Sequence, residues 1–235
     1  MNLLDLSKMI DHALLHPTLT DDELEAGCSL ARQYNVASVC IKPYAVKQAA
    51  GLLEGSSVLV CTVIGFPHGS NTIEIKLAET LQACRDGATE IDMVVNIGKV
   101  LSEDWSYVTN EIQAIHEACR QNGAILKVIF ENDFLSDPRF IIKLCEICTC
   151  LNVEFVKTST GFGFVKSSDG QYNYQGATPF DLQIMLNHIA PTVLVKASGG
   201  IRTLAEVLEF RKIGVSRIGT SSTKAILDEA KKAFS

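Results

Sequence analysis

Short apolar runs recur along the chain at residues 9–10, 37–41, 58–64, 91–95, 125–130, 155–156, 193–195 and 216–218. Amphipathic segments of helical length separate them. Thr20 with Glu23 has capping-box spacing and opens a stripe of Leu24, Cys28 and Ala31. Asn71 with Glu74 predicts a second helix with Ile73, Leu77, Leu81 and Cys84 on its apolar face, and Gly87 after its end. Val108, Ile112, Ile115 and Cys119 form a third stripe that closes near Gly123. Thr178-Pro179 followed by Asp181 is a helix start, since proline suits the first helical position. Thr203 with Glu206 caps another helix, through Leu204, Val207 and Leu208, that Gly214 ends.

The pattern predicts eight strands alternating with about eight helices. The strands are almost continuously apolar, as they are when helices cover the sheet. Eight βα units in 235 residues suit a single α/β domain over 1–235, a closed (β/α)8 TIM barrel; an open doubly wound sheet is the alternative. The one irregular stretch, 161–176, holds Ser167, Ser168, Asp169 and Gly170 with two tyrosines. It reads as a long βα loop, which on a barrel lies on the catalytic face.

Composition narrows the classes. A net charge of −6 argues against nucleic acid, which calls for a basic stripe. The start Met1-Asn-Leu-Leu-Asp does not read as a secretory signal, and no stretch approaches eighteen apolar residues. Cys28, Cys40, Cys61, Cys84, Cys119, Cys145, Cys148 and Cys150 sit mostly among apolar neighbours. They read as buried reduced thiols of a cytoplasmic protein. Metal ligation is not expected: His12 and His16 lack the glutamate of a zinc-protease helix, and the Cys145, Cys148, Cys150 group has no second cysteine pair at zinc-finger spacing.

The informative residues are charges inside apolar strands. Asp92, Lys127, Lys157 and Lys196 lie in the fourth to seventh runs or at their ends. Such residues are almost never buried unless paired. In a barrel all four converge on one place. A structural ion-pair network is one reading. The other is amine catalysis, in which desolvation and a second cation favour a neutral, nucleophilic lysine that forms an imine with a carbonyl. A carboxylate, best placed at Asp92, then moves protons with the other lysine. Ser198-Gly199-Gly200 after the seventh run and Gly219-Thr220-Ser221-Ser222 after the eighth stand where barrels hold phosphate, and Thr158-Ser159-Thr160-Gly161 adds donors.

Longer motifs make the chain recognisable. They include Ile-Asp11-His-Ala-Leu-Leu, Cys61-Thr-Val-Ile-Gly-Phe-Pro-His-Gly, Glu90-Ile-Asp-Met-Val-Val-Asn, Val-Lys157-Thr-Ser-Thr-Gly, Val-Lys196-Ala-Ser-Gly-Gly-Ile-Arg202 and Arg217-Ile-Gly-Thr-Ser-Ser222. In order and across nearly the whole chain, the sequence resembles the deoxyribose-phosphate aldolase family. The resemblance implies a cytoplasmic, usually dimeric barrel enzyme of deoxyribose phosphate catabolism. It would cleave 2-deoxy-D-ribose 5-phosphate reversibly to acetaldehyde and D-glyceraldehyde 3-phosphate, without cofactor or metal. It further implies Lys157 as the Schiff-base lysine and Lys196 as the second lysine, which favours an uncharged Lys157 and relays protons. Asp92 becomes the proton donor and acceptor. Asp11, Cys40 and Lys127 would line the site, with Thr160, Gly161, Gly199, Gly200, Arg202, Gly219, Ser221 and Ser222 at the phosphate.

Three departures are visible. Phe162 stands where some relatives carry a lysine near the phosphate. The loop 165–175 looks longer than usual and is expected to cover the site partly with Tyr172 or Tyr174. The sequence ends at Ala233-Phe234-Ser235, whereas relatives with a longer tail use a terminal tyrosine in proton transfer. A water held by Asp92 and Lys196 is expected in its place. Alternatives of other classes are a phosphate-binding barrel that acts without an imine, and a non-catalytic sugar-phosphate sensor.

Overall fold

The computed structural model describes residues 2–166 and 169–234. In chain order the elements are α1 (Leu3–Ser7), β1 (Ile10–Leu14), α2 (Asp21–Tyr34), β2 (Ser38–Ile41), α3 (Val46–Leu52), β3 (Leu59–Ile64) and α4 (Ile73–Arg85). Then come β4 (Glu90–Val94), α5 (Ile97–Leu101), α6 (Trp105–Gln121), β5 (Ile125–Ile129), α7 (Pro138–Leu151) and β6 (Phe155–Lys157). The chain finishes with β7 (Val165–Lys166), β8 (Tyr172–Asn173), α8 (Pro179–His188), β9 (Leu194–Ser198), α9 (Leu204–Lys212), β10 (Arg217–Thr220) and α10 (Thr223–Ala233).

Eight strands close a barrel in the order β1-β10-β9-β6-β5-β4-β3-β2, with every neighbouring pair parallel. The predicted (β/α)8 architecture is the observed one, and the open sheet is excluded. The remaining strands, β7 and β8, form a small antiparallel hairpin inside the loop 161–176. Ser167 and Ser168 of that loop lie outside the described residues. No helix among the described residues is long and apolar enough to cross a membrane.

Local chemistry accounts for most element ends. Thr20 and Thr203 form the expected capping boxes with Glu23 and Glu206. The Thr178 side chain accepts the Asp181 N–H ahead of Pro179. Val108, Ile112, Ile115 and Cys119 are fully buried on α6. Helix α4 departs from its prediction. Its N-cap is Thr72, and its buried residues are Lys76, Thr80 and Ala83, while Ile73, Leu77, Leu81 and Cys84 are half-buried. The cause is an ion pair of Lys76 with Glu111 of α6 at 2.7 Å, with neither side chain exposed. Lys76 also donates to the Val94 carbonyl at 2.7 Å, and Glu111 accepts the Asn96 N–H at 2.9 Å. The pair thus ties both helices to the end of β4.

The main apolar core lies between the outer face of the barrel and its helices. Inside the barrel the apolar lining is small: Cys40, Cys61 and Val63, with Leu15 and Phe66 against them. Most of the remaining interior is charged. Cys84 is half-buried and Cys150 exposed, so the expectation of buried thiols holds for the other six cysteines.

Candidate active site

Side chains alternate across a strand, so residues two apart share the inner face. Glu90 and Asp92 on β4, Lys127 on β5, Lys157 on β6, Lys196 on β9, Arg217 on β10 and Asp11 on β1 all turn inward. Register sets their heights: Asp92 pairs with Lys127, Lys157 with Lys196, and Lys196 with Arg217. All four strand charges singled out in the sequence therefore meet. Lys157 Nζ lies 2.7 Å from Asp92 Oδ2, and Lys196 Nζ reaches the same oxygen at 2.7 Å. Lys196 also contacts Asp11 Oδ2 at 2.5 Å. Lys127 lies deeper, 2.6 Å from Glu90, 2.9 Å from Asp92 and 3.6 Å from Asp11. Arg217 closes the bottom, 2.6 Å from Asp11 and 3.3 Å from Glu90, with its guanidinium over the Phe155 ring.

Burial opposes the charges of Asp11, Asp92, Lys127 and Lys196, and their opposite charges outweigh it. Burial would raise Asp92, but Lys127, Lys157 and Lys196 hold it well below the carboxylate range. Asp11 is likewise depressed against burial, by Lys196, Lys127 and Arg217. Burial would lower Lys127, which Asp92, Cys61, Glu90 and Asp11 instead keep well above the ordinary lysine value. Lys196 is raised against burial by Asp11 and Asp92. Four cations (Lys127, Lys157, Lys196, Arg217) face three carboxylates (Asp11, Glu90, Asp92). Lys157 is the cation with the fewest partners: one oxygen, shared with Lys196.

Above the cluster opens a cavity of about 720 Å³. Lys157, Lys196 and Cys40 are on its floor, and Asp92, Asp11 and Lys127 lie beneath, outside its lining. Thr160, Gly161, Gly199, Gly200, Arg202, Gly219 and Ser221 line the far side. Ser222 does not line the cavity: it sits at the N-cap of α10, with its N–H given to Thr220 Oγ1. Thr160 lines the cavity, but its N–H and hydroxyl both donate to the Glu131 carboxylate, and its Oγ accepts the Phe162 N–H. The N–H groups of Gly161, Gly199 and Gly200 have no protein acceptor among the described residues. All three glycines have left-handed φ, 83°, 91° and 79°, the conformation that builds concave anion-binding backbone. Phe162 is in the lining and stacks edge-on against Phe66. Tyr174 lines the cavity beside Phe164, whereas Tyr172 is exposed and outside the lining.

Sequence reasoning missed Glu90, Arg217, Cys61 and Glu131. Arg217 lies inside the eighth apolar run and Glu90 borders the fourth, so the rule that found the lysines reaches both. Cys61 gives no such signal; it lies 3.2 Å from Asp92 Oδ1 and 3.6 Å from Cys40 Sγ. Glu131 follows an apolar run and reads as a surface turn. It is fully buried with φ of 60°, and burial lifts its carboxyl to about 7.

Cys40, Cys61 and Asp92 bring three donor atoms within 4.8 Å of one another. Asp92 already accepts from three ammonium groups, and Lys127 Nζ is 3.3 Å from Cys61 Sγ. A cation there would meet those ammonium charges, so the donor set does not suit a metal. His12 and His16 both line the cavity. His12 Nδ1 pairs with Thr223 Oγ1, and burial pulls its pKa down to about 4. His16 Nδ1 pairs with Thr18 Oγ1.

Comparison with known proteins gives one direction. The DeoC/LacD family aldolase profile matches residues 6–229. A deoxyribose-phosphate aldolase of Rhodopirellula baltica is 51% identical over 228 residues, 97% of this chain and 90% of that protein. One from Clostridium perfringens is 44% identical over 97% of this chain and 96% of its own. Among solved structures, the aldolase QR15 superposes with a TM-score of 0.87 at 36% identity, covering 97% of this chain and 96% of that one. The tetrameric deoxyribose phosphate aldolase of Aeropyrum pernix superposes with a TM-score of 0.86 at 30% identity, covering 99% and 93%.

Proposed function

The chain belongs to the DeoC/LacD family of aldolases, and on that premise we propose that it cleaves 2-deoxy-D-ribose 5-phosphate reversibly through a Schiff base on Lys157. The observation that carries this reading is the charge imbalance under the cavity floor. Four cations against three carboxylates leave one positive charge in excess, and Lys157 is the cation with least compensation. Lys157 is thus the amine on the cavity floor least bound into the ion network, and it attacks the C1 aldehyde. The protonated imine that results accepts the electrons of the breaking C2–C3 bond and becomes the enamine.

Lys196 and Asp92 share a proton path through their 2.7 Å contact, within reach of the Lys157 nitrogen. They serve as proton donor and acceptor to carbinolamine, imine and enamine. Lys127, Asp11, Glu90 and Arg217 hold the charges in place from below. The phosphate binds at Gly161, Gly199 and Gly200, which line the cavity and whose amides have no protein acceptor among the described residues, with Arg202 supplying positive charge and Gly219 and Ser221 completing the wall. Phe162 puts an apolar ring where some relatives have a lysine, so backbone donors carry more of the phosphate binding here. The chain acts as a cytoplasmic homodimer; sedimentation distinguishes that from a tetramer such as the Aeropyrum pernix relative forms.

The test is borohydride reduction in the presence of deoxyribose 5-phosphate, followed by peptide mapping. A reduced adduct on Lys157, absent without substrate, is the expected result. Turnover with no adduct would establish a barrel that works without an imine.

A further inference from the structure

The strand lysines explain the chemistry but not what fixes the phosphate-facing loops. Those loops are irregular backbone, and hydrophobic burial holds little of them: Phe164 is exposed, and Phe162 and Tyr174 are only half-buried. The turn after β5 supplies what is missing. Its Glu131 is fully buried in a left-handed conformation, with φ of 60°. A non-glycine residue there bears strain and persists where its surroundings enforce it. Its carboxylate takes the Thr160 N–H at 3.1 Å and the Thr160 hydroxyl, and Thr160 Oγ takes the Phe162 N–H at 2.9 Å. Gly163 packs directly on that carboxylate; a Cβ there would lie 2.8 Å from Glu131 Cδ. Two residues on, the Asp133 carboxylate accepts the N–H groups of Gln175 (2.5 Å) and Gly176 (3.1 Å). Gly176 in turn lies against Gly199, where a Cβ would sit 2.4 Å from the Gly199 oxygen, and Ala177 N–H donates to that oxygen.

We propose that the turn 131–133 is a two-ended clasp, in which Glu131 fixes the segment 160–163 and Asp133 fixes 175–176 against Gly199, making both carboxylates positioning residues for the phosphate end of the substrate. Neither touches substrate. Glu131 occupies the amide of Thr160 and thereby presents that of Gly161. Asp133 seats Gly176 under Gly199 and so sets the height of the Gly199 and Gly200 amides. Lys157 and Lys196 stand on strands β6 and β9, outside the segments that the two carboxylates hold.

The proposal rests on the phosphate-binding reading above, and the test separates the two. Steady-state kinetics are measured for D133A, E131A and E131Q with 2-deoxyribose 5-phosphate and with unphosphorylated 2-deoxyribose, alongside borohydride trapping with acetaldehyde. For D133A, KM for the phosphorylated sugar rises about ten-fold and kcat stays within about two-fold, the pattern of lost uniform binding. The kinetics for deoxyribose itself and the trapping of Lys157 are unchanged. E131A behaves alike. E131Q, which keeps an acceptor for the Thr160 N–H, recovers most of the loss. Equal losses on both sugars, or none on either, would overturn the clasp. If E131A does not fold, D133A, whose side chain is only half-buried, decides alone. A wild-type chain that handles both sugars equally would instead refute the phosphate site.

Discussion

Replacing Lys157 and Lys127 in turn by methionine tests the charge argument. The two residues look alike in sequence, but the cluster treats them differently. Lys127 is the nearest counter-charge of Glu90, at 2.6 Å, also pairs with Asp92 at 2.9 Å, and is wholly buried. Its removal strands buried carboxylates, for which the usual loss is about 3–5 kcal/mol. In a chain of this size that corresponds to a melting temperature lower by on the order of 10 °C. Lys157 holds one carboxylate oxygen that Lys196 also holds. Its removal leaves three cations against three carboxylates. Stability should then change by no more than about 1 kcal/mol, and the usual trade of active-site strain for function points toward a gain. Thermal unfolding followed by circular dichroism reads both variants, and borohydride trapping confirms that K157M has lost the adduct. If K157M melts as low as K127M, Lys157 is an integral part of the ion network and not its least compensated cation.

Other expectations follow from the same geometry. Asp92→Asn should lower kcat about 100-fold or more, with the protein still folded, as removal of a proton-transfer group does; unchanged turnover would remove Asp92 from the mechanism. The Glu131 carboxyl stands at about 7 in the fold against an ordinary 4.5, a difference of roughly 3 kcal/mol at most. Because the folded pKa is the higher one, this contribution is complete below pH 4.5 and is lost as pH rises through 7. Urea midpoints of wild type relative to E131Q should therefore fall across that window, and parallel curves would contradict the assignment. Gly199→Ala places a Cβ 2.9 Å from the Gly176 Cα at a φ of 91°, and should raise KM for the phosphorylated sugar while costing about 1–3 kcal/mol of stability. Lys76→Met should destabilise by about 3 kcal/mol, and adding Glu111→Leu should restore much of it, since the penalty comes from the stranded partner; additive losses in the double variant would contradict that.

Strand order and the meeting of Asp92, Lys127, Lys157 and Lys196 were legible because a charge inside an apolar run stands out against its neighbours. Glu90 obeyed the same rule at the edge of its run and Arg217 within a run only three residues long, where a charge looks like ordinary solvent exposure. The buried face of α4 was misread because Lys76 and Glu111 are far apart in sequence, and each alone looks like a surface residue. A period-3.6 pattern registers polarity, not pairing. The glycine loops that line the cavity were legible in the sequence, yet not how Thr160 is used: its donors go to Glu131, a residue 29 positions away, and no local pattern shows such a contact. Tyr172 lies in β8 while Tyr174 lies beyond its end and packs against Phe164; residues two apart on a strand would share one face, so no alternation pattern could have told them apart.

The vertical separation in the barrel also bears on how such a protein can change over evolutionary time. The charges sit on strands whose register leaves them little freedom, while Phe162, Phe164 and Tyr174 sit on irregular backbone at the rim. Substitutions at the rim alter which carbonyl compound fits without disturbing the ionic layer below. The scaffold can therefore drift in substrate preference while its reaction type stays constant, and a library confined to those three positions would explore new acceptors with the amine chemistry intact.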